Sequence, residues 1–270
     1  MNKENRTSGD KIVFLGTGAA DWPEHLSDME KQNAGRNSRR YSSVLVNNHL
    51  LIDCGPTVPE ALATFGLDRL NITDVLLTHS HRDHLSPDVL RSLARSNSGN
   101  ALLNIWGHKA ALAFISGVDG ISLHPVSAGM WFCISDMRIQ ALAANHPVAG
   151  SREKALHYFF KGRRQWLYAT DGAWLLKPAF ESLQKAKLDA VVWDATIGDI
   201  EGDYRIFEHN SLAMIRLMTA SLKRQEIVKQ DAKVILTHMA RTLHPEHEEM
   251  EGSLLSEGLI PAYDGMGIEI

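Results

Sequence analysis

The sequence contains little cysteine, no long apolar run and no large excess of charge of either sign. Its two cysteines, Cys54 and Cys133, are widely separated among 270 residues, which argues against a disulfide framework and against a zinc site of paired thiolates. No apolar run approaches the roughly 20 residues that cross a bilayer, and the opening MNKENRTSGD lacks the apolar stretch of a secretory leader. We therefore expect a cytoplasmic protein that does not enter a membrane.

The charges are nearly balanced, with 28 basic and 32 acidic residues and a formal net charge of −4. Because there is also no Lys/Arg-rich insertion, we expect a small-molecule partner rather than nucleic acid. No strand–GxGxxG–helix unit surrounds the GTG at residues 16–18, which argues against a dinucleotide site. The sequence leaves open whether the chain forms a homodimer.

Segments of strand and helix type alternate in blocks of several strands, which favours an α/β (α+β) sandwich over a doubly wound sheet. We expect a disordered tail at residues 1–10 and a single domain at residues 11–270. Strands are predicted near residues 11–16, 42–48, 49–55, 74–78, 101–107, 130–134, 137–145, 155–162, 164–172, 189–195 and 232–239, and helices near 57–65, 86–95, 108–116, 174–187, 209–224 and 245–257.

Two charged segments are predicted to face solvent. The polar loop that follows the first strand carries Arg36, Arg39 and Arg40, and a cluster of this kind in a long loop is usually hydrated. His244 and His247 lie in HPEHEEME at helical spacing, which is typical of a solvated helix face.

Histidine is abundant, with 13 residues, and four potential metal ligands occupy one stretch of six residues after an apolar strand. These are His79, His81, Asp83 and His84. Side chains two apart on an extended segment point the same way, so His79 and His81 can bind one ion, while the following turn directs Asp83 and His84 toward a second. Imidazole and carboxylate are ligands that zinc, manganese and iron accept.

Three further candidate ligands end apolar strands elsewhere in the sequence. His146 ends RIQALAANH, Asp171 ends QWLYATD, and His238 ends KVILTH. Strand ends along one edge of a sandwich can converge, and loops there are free to carry function. The pattern predicts a binuclear site assembled from several strand ends.

The HxHxDH pattern, followed at wide intervals by His, Asp and His, resembles the metallo-β-lactamase superfamily. The resemblance extends from the GTG at 16–18 through LLIDCG at 50–55 to the C-terminus, and it implies a four-layer αβ/βα sandwich. It also implies the ligand assignment. His79, His81 and His146 would bind the first ion, Asp83, His84 and His238 the second, and Asp171 would bridge them. Asp53 would orient the histidine loop by accepting a hydrogen bond from a ligating imidazole.

Two ions at such a site lower the pKa of a bridging water and stabilise charge that develops on the substrate. This chemistry hydrolyses phosphodiesters, thioesters, lactones and β-lactams alike. His209, in EHNSL, precedes an amphipathic segment and suits either phosphate binding or proton donation to a leaving oxygen, which favours phosphodiesters. We take Asp83 and His209 as the candidate catalytic residues.

The ending AYDGMGIEI resembles that of the phosphoribosyl 1,2-cyclic phosphodiesterases of phosphonate breakdown, and the context of His209 and of Asp194 in VVWDAT fits the same branch. The resemblance implies Asp194 as a residue that supports the ligands. One departure is that residues 19–41 lack the cysteines that hold a structural zinc in that branch. The alternatives are a transfer-RNA 3′-processing type of endonuclease, a lactonase or β-lactamase-like hydrolase, and a metal-binding protein without turnover.

Overall fold

The computed structural model describes residues 9–25, 35–96, 102–148 and 152–270, in which fourteen strands form two seven-stranded sheets. The first sheet has the order β14-β1-β2-β3-β4-β5-β6. Its strands are β1 (Lys11–Gly16), β2 (Ser43–Val46), β3 (Leu50–Ile52), β4 (Asp74–Leu76), β5 (Leu103–Gly107), β6 (Ile121–Pro125) and β14 (Gly267–Glu269).

The second sheet has the order β13-β12-β11-β10-β9-β8-β7. Its strands are β7 (Trp131–Ile134), β8 (Met137–Ala143), β9 (Leu156–Lys161), β10 (Gln165–Ala169), β11 (Leu188–Asp194), β12 (Val228–Thr237) and β13 (Leu259–Pro261). The helices are α1 (Val58–Thr64), α2 (Pro87–Ser96), α3 (Lys109–Leu112), α4 (Lys177–Leu183), α5 (Leu212–Arg224) and α6 (His247–Leu254). None of these helices combines the length and the apolar composition needed to span a bilayer.

Three apolar clusters explain how the sheets and helices are layered. The central cluster joins residues of both sheets, for example Phe14 and Val44 of the first with Tyr158 and Trp166 of the second. A second cluster packs α4, α5 and α6 on the outer face of the second sheet, and a third packs α1, α2 and α3 on the outer face of the first. Burial of apolar side chains between layers therefore gives the order helix, sheet, sheet, helix.

Most of the predicted strands and helices lie where the sequence places them, and the differences occur at short edge elements. The strands β6, β13 and β14 were not predicted, because each has only three to five residues and lies at or next to a sheet edge. The predicted hairpin joins β2 and β3. Asn47 and Asn48 form its turn, and their φ values of 50° and 60° are those of a primed turn without glycine.

The predicted tail needs a correction at its C-terminal end. Residues 1–8 lie outside the described residues, but Asp10 accepts hydrogen bonds from the indole of Trp166 and from the backbone N–H of Ile270. The folded domain therefore begins before residue 11.

The prediction that Arg39 and His247 face solvent is wrong, because the C-terminal part of the chain covers both. Arg39 is 4% exposed and donates to the Oγ1 of Thr17 and to the carbonyl of Ala262, and its Nη2 lies 3.2 Å from the Nδ1 of His247. Thr17 in turn donates to the buried carboxylate of Asp264. We call Thr17, Arg39, His247 and Asp264 the arginine anchor.

The neighbouring residues of these two segments are only partly covered. Arg40 is half-buried beside Asp264 and Glu60, and Arg36 is paired with Glu248 and Glu251 of α6. His244 is half-buried, and its Nε2 donates to the carbonyl oxygen of Thr196 at 3.2 Å. Residues 26–34 of the predicted loop lie outside the described residues.

Candidate metal centre

Two parallel strands of the first sheet bring Asp53 to the histidine loop. Because β3 and β4 are parallel and pair Ile52 with Leu76, the residues that follow them emerge side by side. Asp53 has a φ of 60°, a left-handed conformation that asparagine and aspartate tolerate better than most residues. Its carboxylate accepts from the backbone and hydroxyl of Thr78, directly before the loop.

The second sheet supplies three more residues in the same manner. Strands β10, β11 and β12 are parallel neighbours, and Asp171, Asp194 and His238 lie at or just beyond their C-terminal ends. Asp171 and His238 also have left-handed backbones, with φ values of 53° and 58°. Parallel pairing therefore places three chemically useful side chains at one edge of the sheet.

The first group of candidate ligands consists of His79, His81 and His146, which lie close enough together to hold one ion. The Nδ1 of His81 lies 2.8 Å from the Nε2 of His79 and 3.2 Å from the Nε2 of His146. Nitrogens bound at about 2.0–2.1 Å to one tetrahedral zinc ion lie roughly 3.3 Å from each other. The three nitrogens therefore have the spacing of ligands to a single ion.

The second group consists of Asp83, His84, Asp171 and His238. The Nε2 of His84 lies 2.5 Å from the Oδ2 of Asp171, 3.1 Å from the Oδ2 of Asp83 and 3.4 Å from the Nε2 of His238. Asp171 also reaches the first group, because its Oδ2 is 3.6 Å from the Nε2 of His79. Its position between the two groups is the one that a bridging carboxylate needs.

The imidazoles of these groups are held by their outer nitrogens. The Nδ1 of His84 donates to Asp53 at 2.8 Å, and the Nδ1 of His146 donates to the carbonyl of Glu208 at 3.2 Å. The Nδ1 of His238 lies 2.8 Å from the hydroxyl of Thr196, which itself donates to the His238 carbonyl. Each ring then directs the lone pair of Nε2 into the centre, as metal-binding histidines usually do.

The electrostatics of the site also favour bound cations. Four carboxylates are buried there, and in the described ranges none of them pairs with lysine or arginine; they are Asp53, Asp83, Asp171 and Asp194. Burial alone would lower the pKa of His84, yet the carboxylates of Asp83 and Asp171 raise it well above its ordinary value. Burial lowers the pKa of His79 well below its ordinary value, which keeps the imidazole in the neutral form that binds metals.

One oxygen of Asp171 that lacks a hydrogen-bond partner also favours a bound cation. Its Oδ1 is buried and receives no hydrogen bond from the described residues, although the Nε2 of His238 lies 3.0 Å away. Buried carboxylate oxygens normally have a partner, and a metal ion is one that needs no hydrogen atom. The residues present therefore fit two divalent cations.

His209 lies beside both groups of ligands. Its ring centroid is 5.0 Å from that of His146 and 5.4 Å from that of His238. Its Nδ1 donates to the Oδ2 of Asp194 at 2.7 Å. Burial alone would lower the pKa of His209, but the Asp194 carboxylate raises it to about 9. The Asp194 carboxylate therefore favours the imidazolium form of His209.

A cavity of about 160 Å³ opens above these groups, and sequence reasoning missed several of the residues that form it. Asp21 and Arg205 line it together with His81, His146 and His209. Thr196, which supports His238, follows Asp194 by two residues. The available signal for Thr196 was its position just after the strand-end residue Asp194 in VVWDAT, whereas Arg205 lies in the short 3₁₀ helix Tyr204–Phe207, which carries no recognisable pattern.

Comparison of the sequence with family models finds similarity to the model described as anti-Pycsar protein Apyc1, over residues 11–86. This region includes β1 to β4 and the HxHxDH loop, but it is less than half of the chain. Comparison with curated proteins finds no match.

Comparison with solved structures finds similar folds over nearly the whole chain. A diphosphatase from the PhnP family is 21% identical with a TM-score of 0.74, and each chain is covered to 97%. The metallo-β-lactamase fold protein YhfI from Bacillus subtilis is 16% identical with a TM-score of 0.73, at 98% and 100% coverage. The short form of human tRNase Z is 19% identical with a TM-score of 0.68, at 96% and 98% coverage. The predicted four-layer sandwich of the metallo-β-lactamase fold is thereby confirmed.

Proposed function

We propose that this chain of the metallo-β-lactamase fold is a binuclear metal-dependent phosphodiesterase that acts on a small cyclic or sugar/nucleotide-like phosphodiester. The observation that carries the proposal is the pair His209–Asp194, which lies against both groups of metal ligands. Hydrolysis of a phosphodiester needs a proton for the departing oxygen, and a positioned, protonated histidine supplies one. Zinc, manganese and iron all accept the histidine and carboxylate ligands present.

His79, His81 and His146 would hold one ion, and Asp83, His84 and His238 the other, with Asp171 between them. When bound, the two ions activate water and neutralise charge on the phosphoryl group. Asp53 and Thr196 orient the imidazoles of His84 and His238 through their outer nitrogens. These contacts keep the ligand lone pairs aimed inward before any ion arrives.

His209 would donate the proton from its Nε2, because its Nδ1 is engaged by Asp194. The buried Asp194 carboxylate stabilises the imidazolium and fixes the orientation of the ring. The backbone N–H groups of Gly172 and Thr196 also donate to Asp194, so this carboxylate is itself held firmly.

Two of the similar structures are named a diphosphatase and a tRNase Z, and both names describe chemistry at phosphoryl groups. This supports the choice of phosphodiesters over lactones and β-lactams. The choice of a small substrate rests on the small cavity above the ligands and on the balanced charge of the chain.

The test is turnover by the purified, metal-analysed protein on a panel of bis-p-nitrophenyl phosphate, cyclic ribose phosphates, a lactone, nitrocefin and a transfer-RNA precursor. We expect hydrolysis of the phosphodiesters, and a loss of about 100-fold in kcat for His209→Asn with unchanged metal content. His124→Gln is the matched control, because His124 lies in the edge strand β6 of the first sheet. This change should leave kcat unchanged.

Other outcomes would select an alternative. Turnover of only the lactone or nitrocefin would overturn the phosphodiester assignment, and cleavage of only the transfer-RNA precursor would favour the processing endonuclease. Metal retention without any turnover would indicate a metal-binding protein that is not an enzyme.

A further inference from the structure

The segment that follows β10, residues 171–174, carries the carboxylate of Asp171 in an unusual backbone conformation, and we call it the bridging segment. Both of its ends are left-handed, with φ values of 53° at Asp171 and 55° at Trp174. Such a backbone is strained in a residue with a side chain and persists only where surrounding contacts fix it. The contacts that hold the bridging segment therefore determine where the Asp171 carboxylate lies.

The side-chain amide of Asn210 spans the bridging segment. Its Nδ2 donates to the carbonyl of Gly172 and its Oδ1 accepts from the backbone N–H of Trp174, both at 2.8 Å. An amide suits this position because it offers a donor and an acceptor in one fixed geometry. Asn210 is 1% exposed, so both hydrogen bonds are shielded from water. Since Asn210 directly follows His209, it ties the bridging segment to the proposed proton donor.

Asn145 holds the third residue of the same segment. Its backbone carbonyl accepts from the N–H of Ala173 at 3.2 Å, and its Nδ2 donates to the carbonyl of Ala173 at 2.7 Å. Asn145 directly precedes the candidate ligand His146. We call Asn145 and Asn210 the asparagine clamp, because each binds the bridging segment and each is the sequence neighbour of a histidine in the site.

Two further contacts restrain the bridging segment. The Nε2 of His157 donates to the carbonyl of Asp171 at 3.3 Å, and the N–H of Gly172 donates to the Oδ2 of Asp194 at 3.2 Å. His157 is packed so closely against Gly172 that a Cβ at this glycine would lie 2.7 Å from the imidazole Nε2. Close packing therefore keeps the segment from shifting toward β9, and the clamp fixes the remaining backbone groups.

We propose that the asparagine clamp positions the carboxylate of Asp171 between the two groups of metal ligands. Asn145 and Asn210 are then positioning residues, because their hydrogen bonds all go to the backbone of the bridging segment and act on the ions through Asp171. Through Asn210, the same contacts set the position of His209 relative to the ions. The role of His209 rests on the proposed function, whereas the effect on metal binding does not.

The first test measures the affinity of the protein for zinc and for manganese by competition with a chromophoric chelator, and it needs no substrate. Asn210→Ala removes both amide hydrogen bonds and should lower the affinity for both ions by about 10- to 100-fold, as loss of groups that orient ligands usually does. Asn145→Ala keeps the backbone carbonyl and loses only the side-chain bond, so it should lower the affinity less. This milder variant also decides the question if Asn210→Ala does not fold.

Two control variants separate positioning from folding stability, which urea titration of the metal-free proteins measures. Asn104→Ala makes the same chemical change in β5, where the side chain contacts Thr73 and His124. Arg39→Met removes a buried contact of the arginine anchor. Both controls should bind the ions as the wild type does. Unchanged metal affinity in the folded clamp variants would overturn the inference, and so would an equal loss in Arg39→Met, because general destabilisation would then be the cause.

The second test concerns the link to His209 and uses metal-saturated protein with bis-p-nitrophenyl phosphate. Asn210→Ala should lower kcat by about tenfold with KM unchanged, because displacement of the proton donor affects the chemical step. In the His209→Asn background the same change should cost no further kcat, while the metal affinity should still fall. Additive losses of kcat would overturn the link between Asn210 and His209.

The two measurements distinguish failure of this inference from failure of the proposed function. If no phosphodiester is hydrolysed, the proposed function fails, and a lower metal affinity of the clamp variants still supports the positioning of Asp171. If phosphodiesters are hydrolysed and the clamp variants bind both ions as the wild type does, the inference is wrong and the proposed function stands.

Discussion

The metal centre and the arginine anchor are both buried and both contain histidine, but they differ in the origin of the positive charge. In the anchor the guanidinium of Arg39 faces the Nδ1 of His247 and donates to Thr17, whose hydroxyl donates to the Asp264 carboxylate. In the metal centre, ring nitrogens face one another and face carboxylates, as with His79 and His81 at 2.8 Å.

The comparison shows how a structural histidine cluster can be distinguished from a metal site. Where the fold supplies its own cation, the cluster is complete as it stands. Where lone pairs and carboxylate oxygens converge without a lysine or arginine, the site fits a cation bound from solution. Changes in one region should therefore affect metal content, and changes in the other should affect folding stability.

The largest expected effect is in the metal centre. Asp171→Asn keeps a residue that tolerates the left-handed backbone, but an amide cannot bridge two cations as a carboxylate does. We expect activity to fall about a thousandfold or more, together with metal content measured by elemental analysis. Asp264→Asn in the anchor should retain both ions. Full activity of Asp171→Asn with two ions bound would remove Asp171 from the scheme.

An intermediate effect is expected for Arg39→Met. Loss of this buried cation removes its hydrogen bonds to Thr17 and Ala262 and leaves Arg40 as the cation beside the buried Asp264 carboxylate. It should lower the free energy of unfolding by about 3 kcal/mol in urea titrations. Metal content at saturating concentration should not change. The control Arg36→Met removes a more exposed ion pair and should change the free energy of unfolding much less. Equal stability of the two variants would contradict the structural role of the anchor.

The smallest effect concerns pH. Burial, followed by the charge of Arg39, lowers the pKa of His244 and of His247 to about 4, so both are neutral in the folded state. In the unfolded chain the pKa of each imidazole returns to about 6.5. Below that pH the unfolded chain binds protons that the folded protein excludes, so the stability that is complete above pH 6.5 is lost as the pH falls toward 4.

The corresponding measurement is the free energy of unfolding at pH 7 and pH 5. The free energy of unfolding of the wild type should fall from pH 7 to pH 5. In the variant with both histidines replaced by glutamine, this fall should be smaller by about 1–2 kcal/mol. An identical pH dependence in the wild type and the double variant would show that neither histidine is kept neutral by the fold.

The convergence of the candidate metal ligands was predictable from sequence because each follows an apolar strand, and the ends of the parallel strands β3–β4 and β10–β12 meet at a common edge. The arginine anchor was not, because its contacts join residues more than 200 positions apart, such as Arg39 with Ala262 and His247 with Asn37. A local pattern of charged residues at helical spacing indicates solvent exposure, and only tertiary packing reverses it. Arg205, which lines the cavity above the metal centre, likewise has no local signal in the sequence.

The left-handed backbones of Asp53, Asp171 and His238 have a consequence for evolution and engineering. Glycine adopts this conformation without strain, whereas a side chain such as that of His238 costs about 1–2 kcal/mol. Heat resistance and function therefore oppose each other at these three positions. Selection for thermal stability alone, without selection for activity, would therefore favour glycine there and give more stable but inactive variants.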